Sequence, residues 1–216
     1  MIPLRGAGST ASREGKEQVE HPASAATDSE AGPPGLREQL DGLDRAVFRA
    51  IAATPTPSLD RAFGALSRAA DHSVLWVAIA AGLAATGASG RRAAADGLAA
   101  VAATSAVINL GLKPLGGRRR PNRAGDHVPA TRQVEMPDST SFPSGHSGSA
   151  FAFASAVANS WPPVAGPIQT LATLVAYSRV HTGVHYPGDV IVGSTVGSIV
   201  GPLSSYALRR WRRSRS

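Results

Sequence analysis

The alternation of apolar and polar positions divides the chain into a polar start, an amphipathic section and a series of apolar segments. Residues 36–54 place apolar side chains three or four positions apart, and residues 59–70 repeat this spacing after a Thr-Pro-Thr-Pro break. The spacing predicts two amphipathic helices. Their apolar faces suit either the interface of a membrane or packing against other helices of the same domain, and the pattern leaves both open.

Five apolar segments follow, and charged residues fall almost only at their ends. A helix needs about 20 apolar residues to cross a bilayer, so the third and fourth segments are short enough to be buried helices of a soluble protein. Five such segments in series nevertheless favour an all-α membrane bundle of about five transmembrane helices, preceded by N-terminal amphipathic helices. The segments are residues 73–90, 93–112, 147–161, 167–176 and 190–208.

Composition changes mark the boundaries of the domain. Residues 1–35 are rich in Gly, Ser, Ala, Pro and charge without any period, which predicts a disordered N-terminal tail. Residues 36–208 form the predicted helical membrane domain, and residues 209–216 form a basic C-terminal tail. No apolar stretch typical of a signal peptide precedes residue 40, so we expect insertion through internal segments.

The formal net charge of +7 is distributed unevenly, with −3 on residues 1–43 and +10 on the remainder. Arginines follow apolar segments at Arg91 and Arg92 and again in the RRWRRSRS end, which favours an anionic membrane over nucleic acid as the partner. Basic residues prefer the cytoplasmic side. Alternating spans would then place the long polar loops on the extracytoplasmic side of a multi-pass protein of the cell membrane.

Four arginines of the long loop, Arg118, Arg119, Arg120 and Arg123, speak against this orientation. Runs of basic residues at helix ends usually reflect topology alone. We therefore interpret Arg118, Arg119 and Arg123 as topological charge.

The chain contains no cysteine, so histidine, aspartate, serine, lysine and arginine must carry any chemistry. Lys113, Arg120 and Arg179 supply three cations, and guanidinium groups can bind phosphate through two hydrogen bonds. Ser144 stands at a predicted helix start, where backbone N–H groups and the helix dipole favour an anion. Gly145 allows the backbone to approach closely. These five residues predict a phosphate-binding site.

Two histidines are suited to breaking a phosphate ester. A neutral imidazole at His185 can attack phosphorus if a carboxylate, available four residues later at Asp189, orients its ring. His146 can protonate the leaving oxygen and then activate water. This chemistry requires neither a metal nor another cofactor.

Other histidines admit simpler interpretations. His181 precedes His185 by four residues, as in helical metal pairs, but the Pro-Gly pair that follows disfavours a metal site. His72 and His127 have no sequence partners, which predicts solvated or structural roles. Asp189 also opens an apolar segment and is suited to capping a helix.

The spacing of these residues resembles the three-part signature of the type 2 phosphatidic acid phosphatase superfamily. The resemblance covers residues 113–189 and implies that His185 is the nucleophile, Asp189 its orienting group and His146 the general acid. It also implies phosphate binding by Lys113, Arg120, Ser144, Gly145 and Arg179. The matching motifs are Lys113 with six residues before Arg120-Pro121, then Pro143-Ser144-Gly145-His146, then Ser178-Arg179 with five residues before His185 and three more before Asp189.

We therefore expect an integral membrane phosphatase acting on a lipid phosphate or pyrophosphate through a phosphohistidine. An isoprenoid phosphate or diphosphate carrier, such as undecaprenyl diphosphate, and phosphatidic acid both suit the site. Membrane members of the superfamily commonly have six spanning helices, whereas five are counted here. Vanadate-dependent haloperoxidases and soluble acid phosphatases share this site, and a non-enzymatic lipid-binding protein is a further alternative. The sequence does not predict an oligomeric state.

Overall fold

The computed structural model describes residues 35–215, so the predicted disordered tail lies outside the described residues. The all-α class is confirmed for this part of the chain, which contains no β-strand. Short 3₁₀ turns connect several of the helices. The seven α-helices of this part are α1 (Leu36–Ala53), α2 (Pro57–Ala69), α3 (Val74–Ala85), α4 (Ala88–Ala106), α5 (Gly145–Ser160), α6 (Ala165–His181) and α7 (Pro187–Arg213).

The first predicted apolar segment, residues 73–90, is not one helix. Gly87 adopts a φ of 114°, which side chains other than glycine rarely tolerate, and it separates α3 from α4. Helix α4 continues through a π-helical and a 3₁₀ turn, giving one long apolar helix over Ala88–Leu115. The second predicted segment therefore begins earlier and is longer than expected.

Helices α6 and α7 also extend beyond their apolar segments. Helix α6 continues past residue 176 to His181, because the polar groups of Arg179 and His181 find buried partners on α2. Helix α7 begins at Pro187, a residue type suited to the first helical turn, and continues beyond residue 208 to Arg213. Apolar pattern alone therefore underestimates both helices.

Two helices of the described part are long and apolar enough to cross a membrane, Ala88–Leu115 and Pro187–Arg213. A third apolar helical segment, Asp71–Ala85, is shorter. Helices α5 and α6 have 16 and 17 residues. The prediction of about five transmembrane helices is thus only partly supported.

Helix α7 packs closely on α5 through a stripe of small residues. Gly193, Gly197 and Gly201 are buried one helical turn apart, and a Cβ atom at any of them would collide with the backbone of α5 or its N-cap. The opposite face of α7 exposes Ile191 and Leu203. Small residues inside and large apolar residues outside are typical of helices that pack within a membrane.

The bundle has two chemically different ends. At one end, which we call the basic end, Arg212 of α7 pairs with Asp96 of α4 at 3.1 Å, and Ser160 of α5 donates a hydrogen bond to the same carboxylate. The opposite end, which we call the motif end, holds the start of α5 and α7 and the end of the α4 extension. The phosphate-binding and catalytic residues predicted from the sequence lie at the motif end.

Candidate active site

A cavity of about 210 Å³ opens at the motif end. Its wall combines the turn between α2 and α3, the last turns of the α4 extension, the first turns of α5 and the loop between α6 and α7. This volume suits a polar head group better than a lipid chain. The lining residues are Ala70, His72, Ser73, Ser105, Asn109, Lys113, Arg120, Pro137, Ser139, Gly145, His146, Ser149 and His185.

The structure brings the eight predicted site residues together, although the first, Lys113, and the last, Asp189, are 76 positions apart. Five of them line the cavity. The other three are buried, and one of them, Asp189, contacts His185 of the lining. The lining group is Lys113, Arg120, Gly145, His146 and His185, and the buried group is Ser144, Arg179 and Asp189.

His185 is buried in the loop between α6 and α7, with its two ring nitrogens in different surroundings. Nδ1 lies 3.5 Å from Asp189 Oδ2 and 3.4 Å from Ser141 Oγ. Nε2 lies 3.2 Å from Arg120 Nη1, which can only donate. These partners assign the proton of the neutral ring to Nδ1 and leave the lone pair of Nε2 facing the cationic side of the cavity.

Burial lowers the pKa of His185 to about 4, from an ordinary value of 6.5. The nearby Asp189 carboxylate opposes this shift, and the guanidinium groups of Arg120 and Arg179 reinforce it. His185 is therefore neutral at physiological pH. Neutrality is the state that a nitrogen nucleophile requires.

Asp189 is fully buried and accepts hydrogen bonds on both carboxylate oxygens. Oδ2 accepts from Ser141 Oγ at 2.5 Å and from the backbone N–H of Tyr186 at 2.9 Å, and Oδ1 accepts from Arg118 at 3.0 Å. The Tyr186 contact caps the start of α7, so Asp189 combines capping with orientation of His185. These donors hold the carboxylate ionised and fixed in position.

Arg118 was expected to be topological charge, and the structure corrects this interpretation. Its guanidinium group bridges Asp189 to Asp41 and Asp44 of α1, at 3.0, 3.1 and 2.6 Å, and lies 4.4 Å over the Tyr186 ring. Asp44 also accepts a hydrogen bond from the backbone N–H of Gly188. Helix α1 is thereby tied directly to the Asp189 carboxylate.

The sequence around Arg118 is compatible both with topological charge and with a position beside the site. Residues 116–121 form no regular helix, and in an extended segment side chains two apart face the same way. Arg118 and Arg120 stand two apart, and both reach the pair formed by His185 and Asp189. A run of arginines does not reveal which members point inward.

Lys113 and Arg120 are held by a loop that the sequence did not single out. Lys113 Nζ donates to Ser139 Oγ at 2.9 Å, and Arg120 Nε donates to the Ser139 carbonyl at 2.9 Å. Arg120 also donates to the carbonyl of Val184 at 2.9 Å. The loop at Ser139 therefore sets the positions of two of the three predicted phosphate-binding cations.

Arg179 is buried and reaches back to the end of α2. Its Nη1 donates to Ser67 Oγ at 2.6 Å and lies 3.4 Å from Asp71 Oδ1, while Nε has no hydrogen-bond partner among residues 35–215. His146 Nε2 lies 2.8 Å from the same Asp71 oxygen. Asp71 is a second carboxylate of the site that sequence reasoning missed, because a lone aspartate ahead of an apolar segment carries no specific signal.

The start of α5 provides the predicted backbone donors. Ser144 is the N-cap of this helix, and its Oγ accepts from the N–H of Ser147 at 3.4 Å, while its own N–H donates to the Asp189 carbonyl at 2.9 Å. The peptide bond between Phe142 and Pro143 is cis. Gly145 lines the cavity, so the N-terminus of α5 faces it, as expected for a site that receives an anion.

The remaining histidines differ in their surroundings. His181 is buried, and its Nε2 lies 3.1 Å from Asp60, which also pairs with Arg132 at 2.8 Å. His127 is exposed, whereas His72 lines the cavity and has a φ of 51°. The location of His72 was not anticipated, since the sequence offered it no partner.

Comparison with known proteins decides the family. The profile of the PAP2 superfamily, the type 2 phosphatidic acid phosphatases, matches residues 93–213, which is more than half of the chain. The chain belongs to the PAP2 superfamily. The resemblance inferred from the three motifs is thereby confirmed.

Among curated PAP2 proteins, the chain is similar to enzymes named decaprenylphosphoryl-5-phosphoribose phosphatase. It is 38% identical over 130 residues to the one from Mycolicibacterium smegmatis, covering 60% of this chain and 68% of that protein. It is 36% identical over 97 residues to the one from Mycobacterium tuberculosis CDC 1551, covering 45% of this chain. The match spans about half the length of the M. tuberculosis protein.

Two solved structures share the PAP2 fold. The transmembrane PAP2 type phosphatidylglycerolphosphate phosphatase from Bacillus subtilis superposes with a TM-score of 0.61 at 24% identity, over 80% of this chain and 87% of that one. LpxE from Aquifex aeolicus superposes with a TM-score of 0.58 at 24% identity, over 75% and 94%. At this identity the likeness supports the fold alone.

Proposed function

We propose that this protein is a membrane phosphatase that removes a phosphate from a lipid phosphate or diphosphate by forming a phosphohistidine at His185. One observation carries the proposal. A buried neutral imidazole, oriented at Nδ1 by Asp189, presents Nε2 beside Arg120 in a cavity lined with cations. This is the arrangement that a nitrogen nucleophile for phosphorus requires.

The reaction proceeds in two steps. His185 Nε2 attacks phosphorus, the bond to the leaving oxygen breaks, and that oxygen takes a proton from His146. In the second step His146 accepts a proton from water, the resulting hydroxide attacks phosphorus, and the bond to His185 breaks. Asp189 keeps the proton of His185 on Nδ1 and stabilises the positive charge that develops on the ring.

The charge on the phosphate oxygens is balanced by Lys113, Arg120 and Arg179, with backbone donors at Ser144 and Gly145. The unpartnered Nε of buried Arg179 supports this role, because a buried donor without an acceptor is costly unless a ligand supplies one. Fixed donors of this kind contribute about 3–4 kcal/mol each when they meet charge that develops in a transition state.

The protein is expected to lie in the cell membrane with the cavity on the extracytoplasmic side. Two long apolar helices and the exposed apolar face of α7 support membrane embedding. Arg118 weighs less against this orientation than its charge suggests, since it is paired with Asp41, Asp44 and Asp189. The basic end would then face the cytoplasm. Helix α1, which exposes several leucines, suits the membrane interface.

The substrate is proposed to be an isoprenoid-linked phosphate or diphosphate, with phosphatidic acid as the other candidate lipid. The names of the mycobacterial relatives favour an isoprenoid-linked sugar phosphate. Purified protein in detergent is assayed for phosphate release from decaprenylphosphoryl-5-phosphoribose, undecaprenyl diphosphate and phosphatidic acid, with His146→Ala in parallel. Release from at least one lipid by wild type, and loss of about 100-fold or more in the variant, is the expected result.

Absence of release from every lipid phosphate offered would overturn the proposed function. The mechanism also predicts that activity persists in the presence of a chelator. Stimulation by added zinc together with loss of activity on chelation would contradict the proposal that the chain's own cations perform the charge stabilisation.

A further inference from the structure

We infer that Asp71, in the turn between α2 and α3, is a positioning residue for the general acid: it holds His146 through Nε2 and leaves Nδ1 to exchange protons with substrate. This inference rests on the proposed function. It adds a second carboxylate and imidazole pair to the site, which mirrors the pair formed by Asp189 and His185.

The geometry of His146 identifies the nitrogen in use. Nε2 lies 2.8 Å from Asp71 Oδ1, so it carries a proton and donates it to the carboxylate. No partner of Nδ1 is found within residues 35–215, and His146 lines the cavity. Nδ1 is therefore the ring nitrogen available to the leaving oxygen and, in the second step, to water.

The backbone around Asp71 is held in an uncommon conformation. His72 and Ser73 follow directly, with φ values of 51° and 62°, and residues other than glycine rarely adopt such values in succession. Strain of this kind persists where the surrounding structure enforces it, and it is frequent at functional sites. The turn places His72 and Ser73 in the cavity wall and directs Asp71 toward His146.

Contacts on both sides enforce this turn. Before it, Ser67 of α2 accepts a hydrogen bond from buried Arg179 at 2.6 Å. After it, Trp76 of α3 is buried against Phe153 of α5, with ring centroids 5.2 Å apart. Helix α5 also carries His146, so the turn and its imidazole partner are fixed to the same helix.

Asp71 does not occupy the place of the phosphate. Its oxygen contacts Arg179 at Nη1, the nitrogen already bound to Ser67, and leaves the buried Nε of Arg179 free for a ligand. Lys113 and Arg120 donate to the loop at Ser139 and not to Asp71. The carboxylate therefore lies at the edge of the site, where it acts on His146.

The charges that face His146 determine what Asp71 contributes. Burial lowers the pKa of His146 below its ordinary value, Arg179 of α6 and Lys113 of the α4 extension lower it further, and Asp71 opposes the shift. A general acid must carry its proton when substrate arrives. Asp71 thus keeps a population of His146 protonated in a pocket whose other charges are positive.

Asp71→Asn tests this role, because it keeps the shape of the side chain and removes its charge. The general acid matters when the leaving oxygen is a poor leaving group and little when it is a good one. We expect kcat for short-chain phosphatidic acid to fall about 10- to 100-fold, with KM changed less than about threefold. With p-nitrophenyl phosphate, release of p-nitrophenol in the first turnover should be nearly unchanged, because its leaving group needs no acid and this release precedes the step in which His146 activates water.

The pH profile gives a second readout. The first step needs protonated His146, so activity falls as pH rises through its pKa. Loss of the carboxylate destabilises the protonated form and should move the alkaline limb of kcat for phosphatidic acid to lower pH. Asp71→Glu should restore part of the loss. Glu135→Gln, which neutralises an exposed carboxylate outside the cavity lining, is the matched control and should behave as wild type.

The outcomes separate the two proposals. If wild type is active and Asp71→Asn slows the first turnover equally on both substrates, Asp71 only supports the structure and the inference fails. A lower KM with unchanged kcat would identify the carboxylate as a phosphate mimic and would also overturn the inference. A wild-type protein inactive on every phosphate ester would instead overturn the proposed function. Comparing two substrates in one preparation removes the effect of any unfolded fraction.

Discussion

The two histidines of the site each have a carboxylate partner, and the two pairs differ most in their exposure. The side chains of His185 and Asp189 are 2% and 0% exposed, whereas those of His146 and Asp71 are 23% and 32% exposed. A nucleophile must stay neutral and fixed in direction, which burial and several hydrogen bonds achieve. A general acid must exchange protons with substrate and water, which requires access.

The two carboxylates also differ in the number of groups that contact them. Asp189 receives hydrogen bonds from Ser141, Tyr186 and Arg118, so its carboxylate is surrounded by donors. The Asp71 carboxylate forms ion pairs only with His146 and Arg179 among the described residues. The buried pair is a rigid part of the fold, and the open pair is a contact between a turn and a helix.

The largest expected effect is at the buried pair. His185→Ala removes the proposed nucleophile and should lower turnover on lipid phosphate by several orders of magnitude, to below about 1% of wild type. Release of inorganic phosphate measures it. His127→Asn is the control, because it changes an exposed histidine and asparagine tolerates the positive φ of 55° found there. Retention of more than about 1% would contradict the nucleophile assignment.

A smaller effect is expected from Arg118, which donates a hydrogen bond to Asp189 of the buried pair. Arg118→Ala removes a charged hydrogen bond to Asp189 and the connection to α1, and such bonds contribute about 1.5–3 kcal/mol. We expect kcat to fall about 10- to 100-fold with little change in KM. Arg119→Ala changes an exposed neighbouring arginine and serves as the control. Equal activity of the two variants would show that α1 has no influence on Asp189.

The smallest expected effect is a difference in the pH at which the buried histidine, His185, gains a proton. With a pKa of about 4, His185 stays neutral as pH falls through 6.5 and gains a proton only near pH 4. In histidine-labelled protein in detergent, the NMR signal that disappears in His185→Ala should therefore titrate far below 6.5. Titration between pH 6 and 7 would show that His185 is not desolvated as the structure implies.

Predictions from the sequence were most accurate for features that depend on residues close together in the chain. A helix starts directly after Ser144, because a serine N-cap and the following helix-forming residues determine that start within a few positions. The pairing of Asp189 with His185 was predictable for the same reason, since four residues across a helix start keep two side chains near each other. The family was recognisable because its three motifs keep fixed spacings.

Segment boundaries were less predictable. The break at Gly87 was invisible in an uninterrupted apolar stretch, because glycine also occurs inside apolar helices. The continuation of α6 through Arg179 and His181 depended on acceptors that α2 supplies, at Ser67 and Asp60. Helix ends are decided by partners distant in sequence whenever polar side chains are buried.

The sequence by itself determined the chemistry of this protein: two histidines, an aspartate and three cations at spacings that predict phosphoryl transfer. Only the tertiary structure decided which further charges act on them. Arg118 joins Asp189 from 71 positions away, and Asp71 joins His146 from the turn between α2 and α3. The physical reason is that a charge interacts with whatever lies within a few ångströms, and the fold, not the spacing along the chain, determines those neighbours.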